Sequence, residues 1–521
     1  MKIIYSLIGL IFISLILDIK SINEIESLVP KNRSEAPDYF CTWNLQGYTI
    51  SNYNSKEMRK AMNEENLFGP GEYQNWPAKL YPEIREDLTF LLDDSWDIAQ
   101  DNNEKPQDFK NDEFGNASLS ITRFPSFNLG SNEKNLKSLT NKIKGLGWRS
   151  LGLWVACQSP NSSGDFNTEH FTQRLKESNN AGVTYWKVDW GIKSRDEEFR
   201  TKLSSLAREV SPNVIIEHAT FQDLGNPRPQ FISISDVCRT YDVDNCIAQA
   251  QTIQRVAELL KYKVKNDDKG NTPKGIINCE DEPYIAVGLG CSIGVMRWGW
   301  AGKLPNGDIN QPFPESGRDY NRRIDEVIRG VRWHRIAEPF GVNDDVTISS
   351  DQEIDYWEKE KGDEGSKDKV SSNNCPMFVS RGMNLPTISE SYNDQQPRVL
   401  ASKYPNGCYA VVTVGRQLKH THVFNEVSVN IEVDNLENPI GIFGIYKQLT
   451  IKTQKKVNPS KCKVYAQDLK SLDSPDDITS KVTLEEDNLV IPGSVINEIG
   501  LAFAKKGDKS DPGLVLLVKE D

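Results

Sequence analysis

Gly182–Gly191, GVTYWKVDWG, places Lys187 and Asp189 two residues apart inside a run that otherwise has the apolar and aromatic character of a buried strand. Residues i and i+2 of a strand share a face, so both side chains project to the same side of a sheet. A buried ammonium beside a carboxylate keeps both groups charged, because each offsets the desolvation of the other. An ionised carboxylate at the end of such a strand is a competent nucleophile. Taken alone, the stretch also fits a structural ion pair.

Seven further runs of the same kind lie between residues 39 and 299: YFCTWN, LTFLLDD, SLGLWV, NVIIEH, ISISD, GIINCED and GVMRWG. The segments between them carry helical spacing, as in Leu136, Leu139, Ile143 and Leu146, or Phe199, Leu203, Leu206 and Val210. Eight strands alternating with helices predict a (β/α)8 barrel, with a doubly wound open sheet as the alternative. A barrel keeps its chemistry at the carboxyl ends of its strands, where Asn44, Asp93, Asp94, Asp189, Glu217, Asp281 and Arg297 fall. The expected organisation is a signal peptide over 1–21, the barrel over 22–345, a polar linker or insertion over 346–394, and a C-terminal antiparallel β domain over 395–521. The last rests on β-branched runs such as CYAVVTVG, VSVNIEV and GLVLLVK.

The chain has 521 residues and a formal charge of −12 with no basic block, which argues against a general nucleic-acid binder. Its first 21 residues, one lysine and then a mostly apolar run from Ile3 to Leu17, have the layout of a secretory signal too short to span a bilayer comfortably. No second candidate span follows. Sequons at Asn32, Asn116 and Asn161 would accept glycans in a eukaryotic secretory route. Nine cysteines show no C-x-x-C pair and no zinc-type spacing, and an oxidising compartment would permit disulfides among them.

A second carboxylate for Asp189 is sought in SDVCRTYDVDN. Asp242 is the candidate proton donor, with Asp244 and Asp236 competing and Arg239 nearby. In LLDDSWDI, Asp93 and Asp94 are suited to accept hydrogen bonds from vicinal hydroxyls, with Trp96 as a flat apolar neighbour; calcium binding or an N-cap are the alternatives. Trp43, Asn44, Glu217, His218 and Asp281 stand at other strand ends, where core packing, a satisfied histidine or a helix cap would also account for them.

In this order the residues resemble the melibiase-type glycoside hydrolases, the α-galactosidases and relatives of glycoside hydrolase families 27 and 36. CTWNLQGY is similar to that family's first-strand tryptophan segment, FLLDDSWD to its D-D-x-W motif, YWKVDWG to its K-x-D nucleophile strand, CRTYDV to its acid/base loop, and NCEDEPYIAVG to its W-N-D-P-D-x-L segment. The resemblance implies Asp189 as nucleophile, Asp242 as acid/base, and Trp43, Asp93, Asp94, Lys187, Glu217 and Arg239 as substrate-binding residues. It implies a retaining hydrolase of terminal α-galactoside-type linkages, acting on an oligosaccharide or glycoconjugate without metal or cofactor. A secreted or lysosomal/endolysosomal location, no membrane span after signal removal, and a homodimer complete the expectation. A hydrolase of another sugar on the same fold, isomaltodextranase-like or β-arabinopyranosidase-like, and an inactive carbohydrate-binding protein are the alternatives. The chain departs from the family pattern in three places. The R-x-x-x-D spacing is one residue shorter, Ser95 and Gly191 stand where family 27 has cysteines, and the segment often written C-E-W-P is IEHA.

Overall fold

The computed structural model describes residues 26–50, 55–99, 114–161, 163–219, 228–240, 247–265, 272–297, 320–343, 345–358 and 370–520. The signal expected over 1–21 lies outside them. Eight parallel strands close a barrel in sequence order: β1 (Tyr39–Cys41), β2 (Thr89–Leu92), β3 (Ser150–Val155), β4 (Val183–Val188), β5 (Ile215–Ala219), β6 (Val237–Arg239), β7 (Ile276–Glu280) and β8 (Ser292–Val295), with β8 returning to pair with β1. This is the expected (β/α)8 fold.

Alternation along each strand sorts the side chains. Tyr39, Cys41, Leu91, Trp154, Tyr185, Val237 and Ile276 fill the interior, while Phe40, Phe90, Trp186, Val188, Ile216, Ile277 and Ile293 face outward to the helices. Both faces are buried, which is why the strands read as near-continuous apolar runs. The helices start where the sequence supplies caps: Ser131 accepts from Lys134 N at helix Asn132–Gly145, and Asp196 accepts from Phe199 N at helix Glu197–Val210. Gly182, at φ 80°, ends helix Thr168–Ala181 and turns the chain into β4.

Two strands differ from expectation in position. Pro229–Ile234, the larger part of ISISD, is a 3-10 turn, with Pro229 at its first position and the Ser235 hydroxyl donating to Phe231 O at 2.6 Å. The strand is the three residues that follow, so Arg239 ends β6 instead of lying in a loop. β8 likewise falls earlier than GVMRWG suggests, ending at Val295.

Beyond the barrel the chain forms four-, eight- and five-stranded sheets. They are mixed, since Phe378–Arg381 pairs in parallel with Arg398–Lys403 and Ser428–Val433 with Gln448–Thr453. The stretch 346–394, expected as linker or insertion, contributes strands Val346–Ile348, Gln352–Glu358, Val370–Pro376, Phe378–Arg381 and Thr387–Ile388 to these sheets. Its polar texture comes from strands with one wet face: exposed and covered residues interleave along Gln352–Glu358 and along its edge neighbour Val370–Pro376. The eight-stranded sheet is buried on both sides. Along Tyr409–Val414, Tyr409 and Val411 pack into a core shared with the five-stranded sheet, while Ala410, Val412 and Val414 pack toward the barrel.

Helix Ile324–Trp333 joins the two units. Its own N-cap, Arg323, makes no side-chain cap bond; Asp508 accepts from Ile324 N and Asp325 N at 2.8 and 3.3 Å, and Ser510 Oγ accepts from Glu326 N at 2.9 Å. The first-turn donors of a barrel helix are thus satisfied by the β domain. One turn on, Arg329 meets Asp468 through Nε at 2.8 Å and Nη2 at 3.1 Å, both side chains fully buried. Removing one member of such a pair strands the other charge. Asp468→Asn is therefore expected to lower unfolding stability by about 3 kcal/mol in denaturant titration; an unchanged midpoint would show that this pair does not hold the joint.

Candidate active site

The inward rows of β4, β6 and β7 end on charged groups that meet at the carboxyl end of the barrel. Asp189 follows β4, its backbone N–H held by Val155 O at 3.0 Å. Its Oδ2 accepts from Trp154 Nε1 at 3.0 Å and its Oδ1 lies 3.1 Å from Arg239 Nη2. Burial pushes the Asp189 carboxyl up, but the Arg239 and Lys187 charges and these hydrogen bonds outweigh it and hold the group below the usual carboxylate value. The nucleophile candidate is thus an ionised carboxylate in a nearly closed interior.

Arg239 touches three carboxylates: Asp189 through Nη2, Glu217 through Nε at 3.3 Å, and Glu280 through Nη1 at 3.3 Å. Lys187 donates to Asp93 Oδ2 at 2.8 Å and stands 3.9 Å from Glu280 Oε1. Burial disfavours its charge, as does Arg239, yet Asp93 and the other acidic neighbours raise its proton affinity above the ordinary lysine value. The pair in GVTYWKVDWG is therefore not a direct bond between Lys187 and Asp189. Each has its own partner, and Glu280 bridges the two cations.

Glu280 is the residue that the sequence reading missed, having chosen Asp281. Asp281 adopts φ 54° and turns out of the barrel: its Oδ1 accepts from Met296 N at 2.8 Å and Arg297 N at 3.1 Å. Arg297 in turn donates to Arg323 O and Glu326 and lies over the Tyr320 ring, so both residues support the rim. Glu280 shares the inward parity of Ile276 and Asn278, which hydropathy alone does not distinguish from the opposite one.

Glu217 sits deeper than expected and does not reach the mouth. It is fully buried, and three donors and one cation surround its two oxygens: Tyr185 OH at 2.7 Å and Asn278 Nδ2 at 3.1 Å on Oε2, Tyr39 OH at 3.4 Å on Oε1, and the Arg239 guanidinium paired with Oε1 at 3.3 Å. Enclosed by these groups, the carboxyl offers no exposed oxygen to a substrate. Asp94 is also engaged, by both Arg59 Nε and Nη2 at 2.7 Å on Oδ2 and by Ser95 Oγ at 2.9 Å on Oδ1. The Arg59 guanidinium lies over Phe114 and Trp190, 5.2 and 5.0 Å from their centroids. No local signal in the sequence pointed to Arg59, which arrives from a helix 35 residues upstream.

Trp43 opens helix Trp43–Ile50 and, with Trp190 and Met296, is half-buried against the interior cluster, an apolar rim beside the charged web. Trp96 is not available for that purpose: it is fully buried and donates to Trp154 O at 2.7 Å. Asn44 is buried with Oδ1 unpartnered among the described residues. His218 faces outward from β5 between Arg200 and Ser204, a satisfied core histidine. Asp236 lies at the amino end of β6, where it accepts from Ile216 N, and so is on the wrong side of the barrel for an acid/base. Asp242 and Asp244 lie outside the described residues. Gly191 does have a structural reason: at φ 152°, a Cβ there would stand 2.7–2.8 Å from the Cys157 backbone. Among the described residues no cluster of three or more His, Cys, Asp or Glu could hold a metal ion, no helix is long and apolar enough to cross a membrane, and all eight described cysteines are buried thiols.

Behind the D-D pair, Asp97 is buried with Oδ1 unpartnered among the described residues, and burial pushes its carboxyl up to about 7 despite the hydrogen bond from Ala117 N. The folded protein holds a proton there that the unfolded chain releases near pH 4, so this contribution to stability is complete below that pH and lost as pH rises through about 7. Asp97→Asn is expected to flatten the fall in melting temperature over that window; an unchanged slope would place the titration elsewhere.

No protein-family model and no curated protein sequence matches the chain. Among solved structures it is similar to α-galactosidase I from Mortierella vinacea, at 10% identity and TM-score 0.39 over 93% of this chain and 96% of that one. It is similar to a GH27 β-L-arabinopyranosidase from Geobacillus stearothermophilus at the same identity, TM-score and coverage. An α-amylase from Geobacillus thermoleovorans, complexed with acarbose, matches at 10% identity and TM-score 0.39 over 94% of this chain and all of that one. These likenesses are weak, and the barrel and site stand on the chain's own geometry.

Proposed function

We propose that the protein is a retaining glycoside hydrolase whose nucleophile is Asp189. The observation that carries this reading is the setting of that one carboxylate, buried at the carboxyl end of a closed barrel between the Trp154 indole N–H and the Arg239 guanidinium, and beside half-buried tryptophans that suit the C–H face of a sugar. Asp189 would attack the anomeric carbon and expel the leaving oxygen as Asp242 protonates it. Water activated by the same Asp242 would then cleave the glycosyl ester, so two inversions give net retention. Arg239 and Lys187 keep the nucleophile ionised before attack.

A terminal α-galactoside is the first substrate to test, following the resemblance of the K-x-D and D-D-x-W segments to melibiase-type enzymes. The engagement of Asp94 by Arg59 favours a second reading, a different sugar on the same machinery, since that carboxylate is no longer offered to hydroxyls. A panel of chromogenic α- and β-glycosides, including galactosides and arabinopyranosides, decides between them. Measurable sugar binding with no turnover would instead support a carbohydrate-binding protein.

Asp189→Asn is expected to cut turnover by at least about 1,000-fold with the fold intact by circular dichroism; near-normal activity would remove the nucleophile assignment. Asp242→Asn should spare aryl glycosides with good leaving groups more than alkyl ones, because the former need little proton donation. Equal losses on both would move the acid/base role to another residue.

A further inference from the structure

We propose that Glu217 is a proton-bearing positioning residue, whose charge, read through Arg239, decides how firmly the nucleophile Asp189 is held. The proposal rests on the glycoside-hydrolase reading for its kinetic consequence only.

The geometry sets Glu217 one layer below the reacting groups. Arg239 is the shared element: Nε faces Glu217, Nη2 faces Asp189, and Nη1 faces Glu280. A change in Glu217 therefore reaches Asp189 through one rigid guanidinium plane. With Glu217 neutral, two cations, Lys187 and Arg239, face three carboxylates, Asp93, Asp189 and Glu280. With Glu217 ionised they face four, and the extra charge competes with Asp189 for Arg239.

The surroundings can accept either state. Of the groups around Glu217, the Arg239 cation and Asn278 Nδ2 cannot reverse, but the Tyr39 and Tyr185 hydroxyls can rotate and accept. When Glu217 takes a proton, it can donate it to the oxygen of whichever tyrosine hydroxyl has rotated to accept. No covalent bond other than the carboxyl O–H forms or breaks, and the proton exchanges with solvent.

The titratable and charged groups facing Glu217 are Tyr39 from β1, Tyr185 and Lys187 from β4, Arg239 from β6 and Glu280 from β7. Burial raises its proton affinity most, Arg239, Lys187 and the Tyr185 hydrogen bond oppose it, and Glu280 adds to it, leaving the group at about 7. The protonated form is the active one, because it leaves the Arg239 charge to Asp189 and Glu280.

Two measurements test this. In the intact wild-type chain carrying carboxyl-13C glutamate, infrared difference spectra should show one glutamic acid C=O band that disappears as pH rises through about 7. Aspartate labelling is omitted so that Asp97 and Asp281 do not contribute. Absence of the band overturns the proposal without reference to any substrate. On whichever glycoside is turned over, kcat/KM of the wild type should decline as pH rises through the same region. Glu217→Gln, neutral at every pH, should lose that limb, shifting it upward by about one unit or more while retaining activity within about tenfold below it. An unchanged limb in a folded Glu217→Gln overturns the proposal; if that variant does not fold, the infrared band decides. A band that titrates in a protein hydrolysing no glycoside would sink the functional reading and leave the proton on Glu217.

Discussion

Arg239 carries a positive charge in the closed interior of the barrel and shares it among Asp189, Glu217 and Glu280. Removing each of these ions from water costs several kcal/mol. A unit pair at 3.3 Å, with an effective dielectric of about 20, recovers about 5 kcal/mol of gross attraction. The two effects are comparable, so any one of these acids alone would shed its charge, and the arginine alone would be excluded. Together Arg239 and Asp189 persist as ions, and Glu217, the most deeply buried of the three acids, is the one left able to take a proton. Strand order makes this feasible: β4, β5, β6 and β7 are consecutive neighbours, and register sets Lys187 beside Glu217 and Arg239 beside Asn278. The web crosses three adjacent strand pairs using only inward positions.

That arrangement explains which parts were legible in sequence. Period-two reasoning worked on β4 because Lys187 and Asp189 are both charged, and their parity needed no knowledge of where the strand began. On β7 the same reasoning needed an anchor, and Ile276–Glu280 is buried at every position, so hydropathy does not say which parity faces in. Asp281 was chosen for standing last, although the left-handed turn at φ 54° had already rotated it outward. β6 failed for a different reason: its three residues are too short to register as a run, while the apolar turn before them is long enough to imitate one. The outer architecture was easier, since eight runs and their helices need only be counted, not phased.

Partners that come from distant sequence were invisible for a plain reason. Arg59 neutralises Asp94 from a helix of six residues, and nothing near FLLDDSWD announces it. Burial raises the Asp94 proton affinity and Arg59 only partly offsets it, so this carboxyl is set by its tertiary surroundings and not by its motif. Ser95 at φ 83° and Gly191 against the Cys157 backbone are likewise fixed by backbone geometry.

The β domain enters this chemistry from behind. Asp508 and Ser510 supply the first-turn acceptors of helix Ile324–Trp333, and Glu326 on that helix takes Arg297 from the end of β8. Arg297 also donates to the carbonyl of Asp281, the residue after Glu280. A continuous set of polar contacts therefore runs from the β domain to Asp281, the chain neighbour of the residue that bridges Lys187 and Arg239. Closed barrels are stiff through their ladders, but strand ends have lost half of their ladder partners and need support from elsewhere. Here the rim beside β7 and β8 receives it from the second unit, which makes that unit part of how the charged interior stays assembled.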